Sequence, residues 1–176
     1  QRNQREAMFT VALLGYTNSG KSTLLNTLAH ADADVNDQLF VTLDSMTRVA
    51  MSNSGEKFLV IDTVGFIRGI PTQLMASFRS TLEEAIKANL RLILIDASSE
   101  KYQEELDETE KVMDDLGITD SDNILVFNKI DNVFDEALLN NMKRNNPDAF
   151  FISAKTREGI DGLLGEIDAY KERFWN

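Results

Sequence analysis

The sequence predicts an α/β domain on a mostly parallel sheet with one antiparallel edge strand. Three observations carry this. Short apolar runs alternate with longer segments whose apolar residues recur at helical spacing. Leu90–Ile95 is a near-continuous aliphatic run, as expected of a strand buried on both faces. Two early runs, Val49–Ser52 and Phe58–Ile61, flank Asn53-Ser54-Gly55, a hairpin signature that makes one strand run against its neighbour.

The elements follow in order. Phe9–Leu14 is a strand that ends at Gly15, and Lys21–Ala29 a helix with Leu24, Leu25 and Leu28 on one face. Residues Ala31–Asp37 are small, polar and acidic, hence a loop. After the hairpin, Leu74–Lys87 is helical, behind Pro71 and Thr72. Strand Leu90–Ile95 leads to helix Tyr102–Leu116, where Leu106, Thr109, Val112, Met113 and Leu116 recur. Ile124–Phe127 is the next strand. Phe134–Arg144 is a helix stopped by Asn145-Asn146-Pro147. Phe150–Ile152 is a last short strand, and Ile160, Leu163, Leu164, Ile167 and Tyr170 stripe a final helix.

Composition narrows the function classes. The chain has 176 residues, 43% of them hydrophobic, enough for one core and too many for a disordered chain. It has no cysteine, which excludes disulfides, thiolate zinc sites and cysteine nucleophiles. Its net charge of −11 argues against general DNA or RNA binding by this domain. The charge is uneven. Residues 1–88 hold 8 basic and 9 acidic side chains, residues 89–176 hold 10 and 20. Ten of the acidic residues fall between Glu100 and Asp122, on what reads as a solvated helix face. No apolar run approaches the roughly 20 residues of a membrane span, and no membrane partner is expected. A monomer in the cytoplasm is expected. The chain opens at Gln1 rather than Met and reads as a piece of something longer, with the domain over 8–176.

In parallel sheets ligands sit beyond the carboxyl ends of the strands, and four motifs fall there. Gly15-Tyr16-Thr17-Asn18-Ser19-Gly20-Lys21-Ser22-Thr23 is a G-x-x-x-x-G-K-S loop between a strand and a helix. Its backbone N–H groups and the helix N-terminus suit phosphate oxygens. Lys21 would lie between β- and γ-phosphates, and Ser22 would ligate Mg²⁺. Asp62-Thr63-Val64-Gly65 ends a second strand as D-x-x-G. Asp62 would hold Mg²⁺ through water, and the Gly65 N–H would meet the γ-phosphate. Asn128-Lys129-Ile130-Asp131 is N-K-x-D. A carboxylate accepts both guanine donors, N1–H and N2–H, so Asp131 reads guanine rather than adenine. Asn128 would bond the N7 side of the base and tie this loop to the phosphate loop, and the Lys129 stem would cover the base. In Ser153-Ala154-Lys155 the Ala154 N–H would donate to guanine O6, with Lys155 over the base.

At these four stations the sequence resembles the P-loop GTPases of the translation-factor-like class. Further segments are similar to the HflX family: the phosphate loop through Leu24, Leu39-Phe40-Val41-Thr42-Leu43-Asp44, Asp62 to Arg68, Gln73-Leu74 with Phe78, Thr81 to Glu84, and Ser153-Ala154-Lys155-Thr156 with Glu158-Gly159. The resemblance implies a three-layer P-loop NTPase fold (a Ras-like G domain), GTP and GDP as ligands, Mg²⁺, and the large ribosomal subunit as partner in splitting or rescue of stalled ribosomes. It also implies that Phe40 to Asp44 contact the nucleotide. Thr42 would supply a hydroxyl to Mg²⁺ and an N–H to the γ-phosphate, joining Lys21 and Gly65 as the catalytic set. From the residues alone Thr42 and Thr47 were equivalent candidates. Where the family usually reads Pro-Thr after this aspartate, the chain has Ser45-Met46, which loosens the loop without removing a ligand.

Two positions bear on hydrolysis. The residue after D-x-x-G is Phe66, where Ras-like enzymes use a glutamine to orient water. Either Phe66 only packs, or water is positioned by other groups; both imply slow intrinsic turnover. Asn18 occupies the place of an asparagine that helps hold K⁺ beside the phosphates in potassium-dependent relatives. That makes K⁺ a second candidate cofactor, with simple loop stabilisation the open alternative.

Overall fold

The computed structural model describes residues 8–29, 47–63, 79, 82–118 and 120–175. Six strands form one sheet in the order β2-β3-β1-β4-β5-β6: β1 Thr10–Gly15, β2 Thr47–Met51, β3 Lys57–Asp62, β4 Leu90–Asp96, β5 Asn123–Asn128 and β6 Phe150–Phe151. β2 runs antiparallel to β3, and every other pairing is parallel. The helices are α1 Lys21–Leu28, α2 Glu83–Lys87, α3 Tyr102–Asp115, α4 Glu136–Asn145 and α5 Ile160–Phe174. The expected α/β class and the single antiparallel edge strand are both present.

Strand alternation sends successive side chains to opposite faces. Val11 and Leu13 of β1 join Leu24, Leu25 and Leu28 of α1 and Leu163, Leu164 and Ile167 of α5. Ala12 and Leu14 join Leu82, Ala85, Met113 and Leu116 beside α2 and α3. A third cluster places Ile95 and Phe127 against Leu106 of α3 and Met142 of α4, with Phe127 stacked on Phe151 at 4.9 Å. Helices on both faces make three layers, and all seven residues of β4 are buried, as its aliphatic run predicts.

Several ends shift by a residue or two. β3 extends past Ile61 because Asp62 keeps the parallel ladder with Leu13. α4 starts at Glu136 rather than Phe134 because the Asp135 carboxylate accepts the N–H groups of Ala137 and Leu138. Phe134 is thereby left outside the helix and 90% exposed. The expected helix Leu74–Lys87 is described only at 79 and 82–87, with Arg79 and Glu83–Lys87 helical, and the loop Ala31–Asp37 lies outside the described residues. Among the described residues no helix is long and apolar enough to cross a membrane.

Candidate functional site

β1, β3, β5 and β6 all end at one edge of the sheet, so the four motif loops that follow them start side by side. The phosphate loop is held by its own carbonyl hub. Tyr16 O accepts from Ser19 N at 3.1 Å, Ser19 Oγ at 2.7 Å and Lys21 Nζ at 3.3 Å. The Tyr16 ring is buried among α2 and α3 residues, and its hydroxyl donates to Glu108 of α3. The two loop glycines are required by neighbours as well as by turning. A Cβ on Gly15 would lie 2.6 Å from Leu94 O, and one on Gly20 would lie 2.3 Å from Asn128 Nδ2, at a φ of +91°. No described side chain caps α1, and a helix N-terminus of this kind suits an anion. Thr17, Asn18, Ser22 and Thr23 are exposed at this edge, and Ser19 is buried.

Lys21 is only 5% exposed. Burial pushes its pKa down, and Asp62 opposes that shift. Burial likewise pushes the Asp62 carboxyl up, against the pull of Lys21, the Ser22 hydroxyl and the Thr63 N–H. Asp62 Oδ2 accepts from Ser22 Oγ at 3.3 Å, while its buried Oδ1 has no hydrogen-bond partner among the described residues. Beside it, Thr63 Oγ1 donates to Leu13 O at 2.6 Å, stitching β3 to β1 just before the loops diverge.

These donors fit Mg²⁺. Hard oxygens from a serine and an aspartate, one of them a buried carboxylate oxygen lacking a partner, are what that ion takes when phosphates and waters complete its shell. Among the described residues no cluster of three His, Cys, Asp or Glu side chains offers an all-protein cage.

The loops that follow β5 and β6 are tied to the phosphate loop by side-chain hydrogen bonds. Asn128 is 2% exposed. Its Nδ2 donates to Ser19 O at 3.0 Å and its Oδ1 accepts from Ala154 N at 3.0 Å. The expected tie to the phosphate loop is present. The Ala154 N–H assigned to guanine O6 already has an acceptor in Asn128, which O6 would share or displace. Lys129 sits at φ 65° and sends its Nζ to Asn18 O at 2.5 Å and to Asp96 Oδ2 at 3.3 Å, so its stem lies along the loop edge. Asp131 is half-buried in the turn Ile130–Asn132. Ser153 and Ala154 are buried and Lys155 is exposed. The residues Phe40, Val41, Thr42, Leu43, Asp44, Val64 and Gly65 lie outside the described residues, as does Phe66.

Sequence reasoning missed two members of this edge. Asp96 ends β4, pairs with Lys129, and accepts from Ser98 N at 2.9 Å and Ser98 Oγ at 2.6 Å. An acid closing an aliphatic strand, in register with Asn128, is the signal that marks it. Thr27 of α1 donates to Ala154 O at 2.7 Å, a contact with no signature in sequence spacing.

Comparison with known proteins agrees with this geometry. Residues 10–129 match the family described as 50S ribosome-binding GTPase. The chain is 45% identical over 159 residues to GTPase HflX of Treponema denticola, covering 89% of this chain and 41% of that protein. It is 45% identical over 168 residues to GTPase HflX of Caldanaerobacter subterraneus, covering 96% and 38%. The chain thus spans about two fifths of the length of these relatives. Among solved structures, a GTP-binding protein from Sulfolobus solfataricus in complex with GDP superposes with TM-score 0.72 at 26% identity, over 97% of this chain and 55% of that one. The FeoB G-domain from Methanococcus jannaschii shares the fold, with TM-score 0.64 at 21% identity over 93% and 97%. The matched segment contains the phosphate loop, Asp62 and Asn128, and the relatives match across nearly the whole chain: it belongs to the 50S ribosome-binding GTPase family and is a G domain of the HflX type.

Proposed function

We propose that residues 8–176 form a guanine-nucleotide switch that binds GTP with Mg²⁺ and hydrolyses it slowly, with residues 1–7 the end of a connecting segment. In the whole protein the switch acts with the large ribosomal subunit, in splitting or rescue of stalled ribosomes. The observation that carries the nucleotide reading is Asn128, whose one side chain bonds both the phosphate loop and the Ser153-Ala154-Lys155 loop. The ribosomal part is supported by the family described as 50S ribosome-binding GTPase and by the HflX relatives.

The roles follow from the chemistry of the reaction, in which water attacks the γ-phosphorus, the bond to the β-phosphate oxygen breaks, and GDP and phosphate leave. Tyr16 to Thr23 wrap the phosphates with backbone N–H groups and the α1 N-terminus. Lys21, whose one hydrogen-bond partner among the described residues is a carbonyl at 3.3 Å, would exchange it for phosphate oxygens and recover the charge stabilisation that burial removes. Ser22 and Asp62, with Thr42, would hold Mg²⁺, which when bound neutralises phosphate charge. Asp131 accepts the guanine N1–H and N2–H donors, Lys129 and Lys155 flank the base, and the Ala154 N–H serves O6. Phe40 to Asp44 and Thr63 to Gly65 report the γ-phosphate to the two switches. Asn18 is offered as a K⁺ holder.

Phe66 favours a second reading, a nucleotide-gated docking module that barely hydrolyses, because phenylalanine cannot orient water. One experiment separates the two: GTP turnover with and without large ribosomal subunits, in K⁺ and in Na⁺. The enzyme reading expects turnover well below about 1 s⁻¹ alone and marked acceleration with subunits. Turnover that stays flat on adding subunits supports the docking module, and equal rates in both salts end the K⁺ role.

A further inference from the structure

We infer that Thr27 is a positioning residue for base recognition, acting with Arg157 as a clasp between the phosphate-loop helix and the base-reading loop; this rests on the guanine reading above. Thr27 lies in α1, the helix that begins at Lys21. A helical threonine commonly turns its hydroxyl onto a carbonyl of the preceding turn. Here Thr27 Oγ1 instead donates at 2.7 Å to Ala154 O, 127 residues away in sequence. The Ala154 N–H donates to Asn128 Oδ1 at 3.0 Å.

These two bonds engage the peptide units on either side of the Ala154 Cα. Peptide units are planar, so anchoring both fixes φ and ψ at that residue. The N–H offered to guanine O6 therefore points where two side chains direct it, one on β5 and one on α1. The C=O that Thr27 holds also belongs to the peptide from which Lys155 departs. The direction of both groups meant for the base is thus set partly from the helix that leaves the phosphate loop.

Arg157 closes the clasp from the other side. It is one of two non-glycine residues at positive φ among the described residues, at 71°, a conformation that needs surrounding contacts to hold it. Its N–H donates to Ser153 O at 2.8 Å, and its guanidinium reaches Thr27 O at 3.0 Å. Thr27 thus meets the loop with its hydroxyl and its carbonyl.

The test uses the full-length protein and two probes, GDP and its 6-thio analogue. The analogue keeps both guanine donors for Asp131 but carries sulfur, a poor acceptor, at position 6. Thr27→Val keeps the shape and removes the donor. It should weaken GDP binding roughly 3- to 10-fold, the loss of one net hydrogen bond, while the analogue loses less than about 2-fold. Thr27→Ser should restore GDP binding, and Arg157→Gln should repeat the pattern more weakly if the valine variant folds poorly by its urea midpoint. Equal losses for both probes, or no loss in a folded Thr27→Val protein, overturn the inference. A wild-type protein that does not prefer GDP to ADP overturns the guanine reading, and the inference with it.

Discussion

The two ends of the sheet each bury a cation, and they treat it differently. At the amino end Arg91 of β4 is 4% exposed, hydrogen-bonded through Nε and Nη1 and ion-paired through Nη2. Its Nε donates to Asn123 Oδ1 at 2.7 Å, and its Nη1 caps the end of α2 through Ile86 O at 3.0 Å and Ala88 O at 3.1 Å. Its Nη2 lies 3.8 Å from Asp122, whose other oxygen takes the Tyr170 hydroxyl. At the carboxyl end Lys21 is as deeply buried, yet among the described residues it bonds one carbonyl, at 3.3 Å, and the neighbouring Asp62 has an oxygen without a described partner. Burial pushes the pKa of both cations down, so the direction of that shift does not separate them. The completeness of their hydrogen bonding does. The Arg91 end ties elements together, while at the Lys21 end the buried groups are less completely bonded among the described residues, which fits the ligand role proposed above.

Exchanging each cation for methionine gives the largest test of that contrast. Lys21→Met should cut GTP turnover by on the order of 10²- to 10³-fold, the loss of a preorganised charge at the phosphates, while the nucleotide-free urea midpoint stays level or rises. Arg91→Met should do the reverse. It strands two carbonyls and an amide oxygen and frees an acidic partner, costing about 3–5 kcal/mol of stability by urea unfolding, with turnover little changed in the folded fraction. Two variants that lose stability alike would break the comparison.

A smaller and sharper test is the pH dependence at Asp62. Its folded pKa is raised above the ordinary 3.8, so between that value and the raised one the native state binds more protons than the unfolded chain. Stability of the nucleotide-free protein should therefore fall as pH rises through that window. Asp62→Asn should flatten this segment of the stability profile and weaken the dependence of nucleotide binding on Mg²⁺. A profile identical to wild type would show that Asp62 is not strained by burial.

The element order, the sheet class and the four motif loops were legible in the sequence because each depends on local pattern. Apolar periodicity separates β4 from α3, and fixed spacing marks Gly15 to Ser22 and Asn128 to Asp131. The boundary of α4 was misjudged because a cap is a side-chain bond, and the apolar Phe134 looked like the first core residue when Asp135 was already turning the chain. Thr42 was indistinguishable from Thr47 until resemblance chose between them, and Thr47 proves to be a buried residue of β2 paired with Ile61.

By itself, then, the sequence determined the fold class and where the motif loops fall along the chain, since periodicity and residue spacing are local properties. Only the tertiary structure decided which partners those loops keep. Asp96 on Lys129, Thr27 on Ala154, Glu108 on Tyr16 and Asn123 on Arg91 join residues tens of positions apart. Such contacts depend on register and layer packing, which bring distant side chains within 3 to 4 Å without leaving any mark in their spacing.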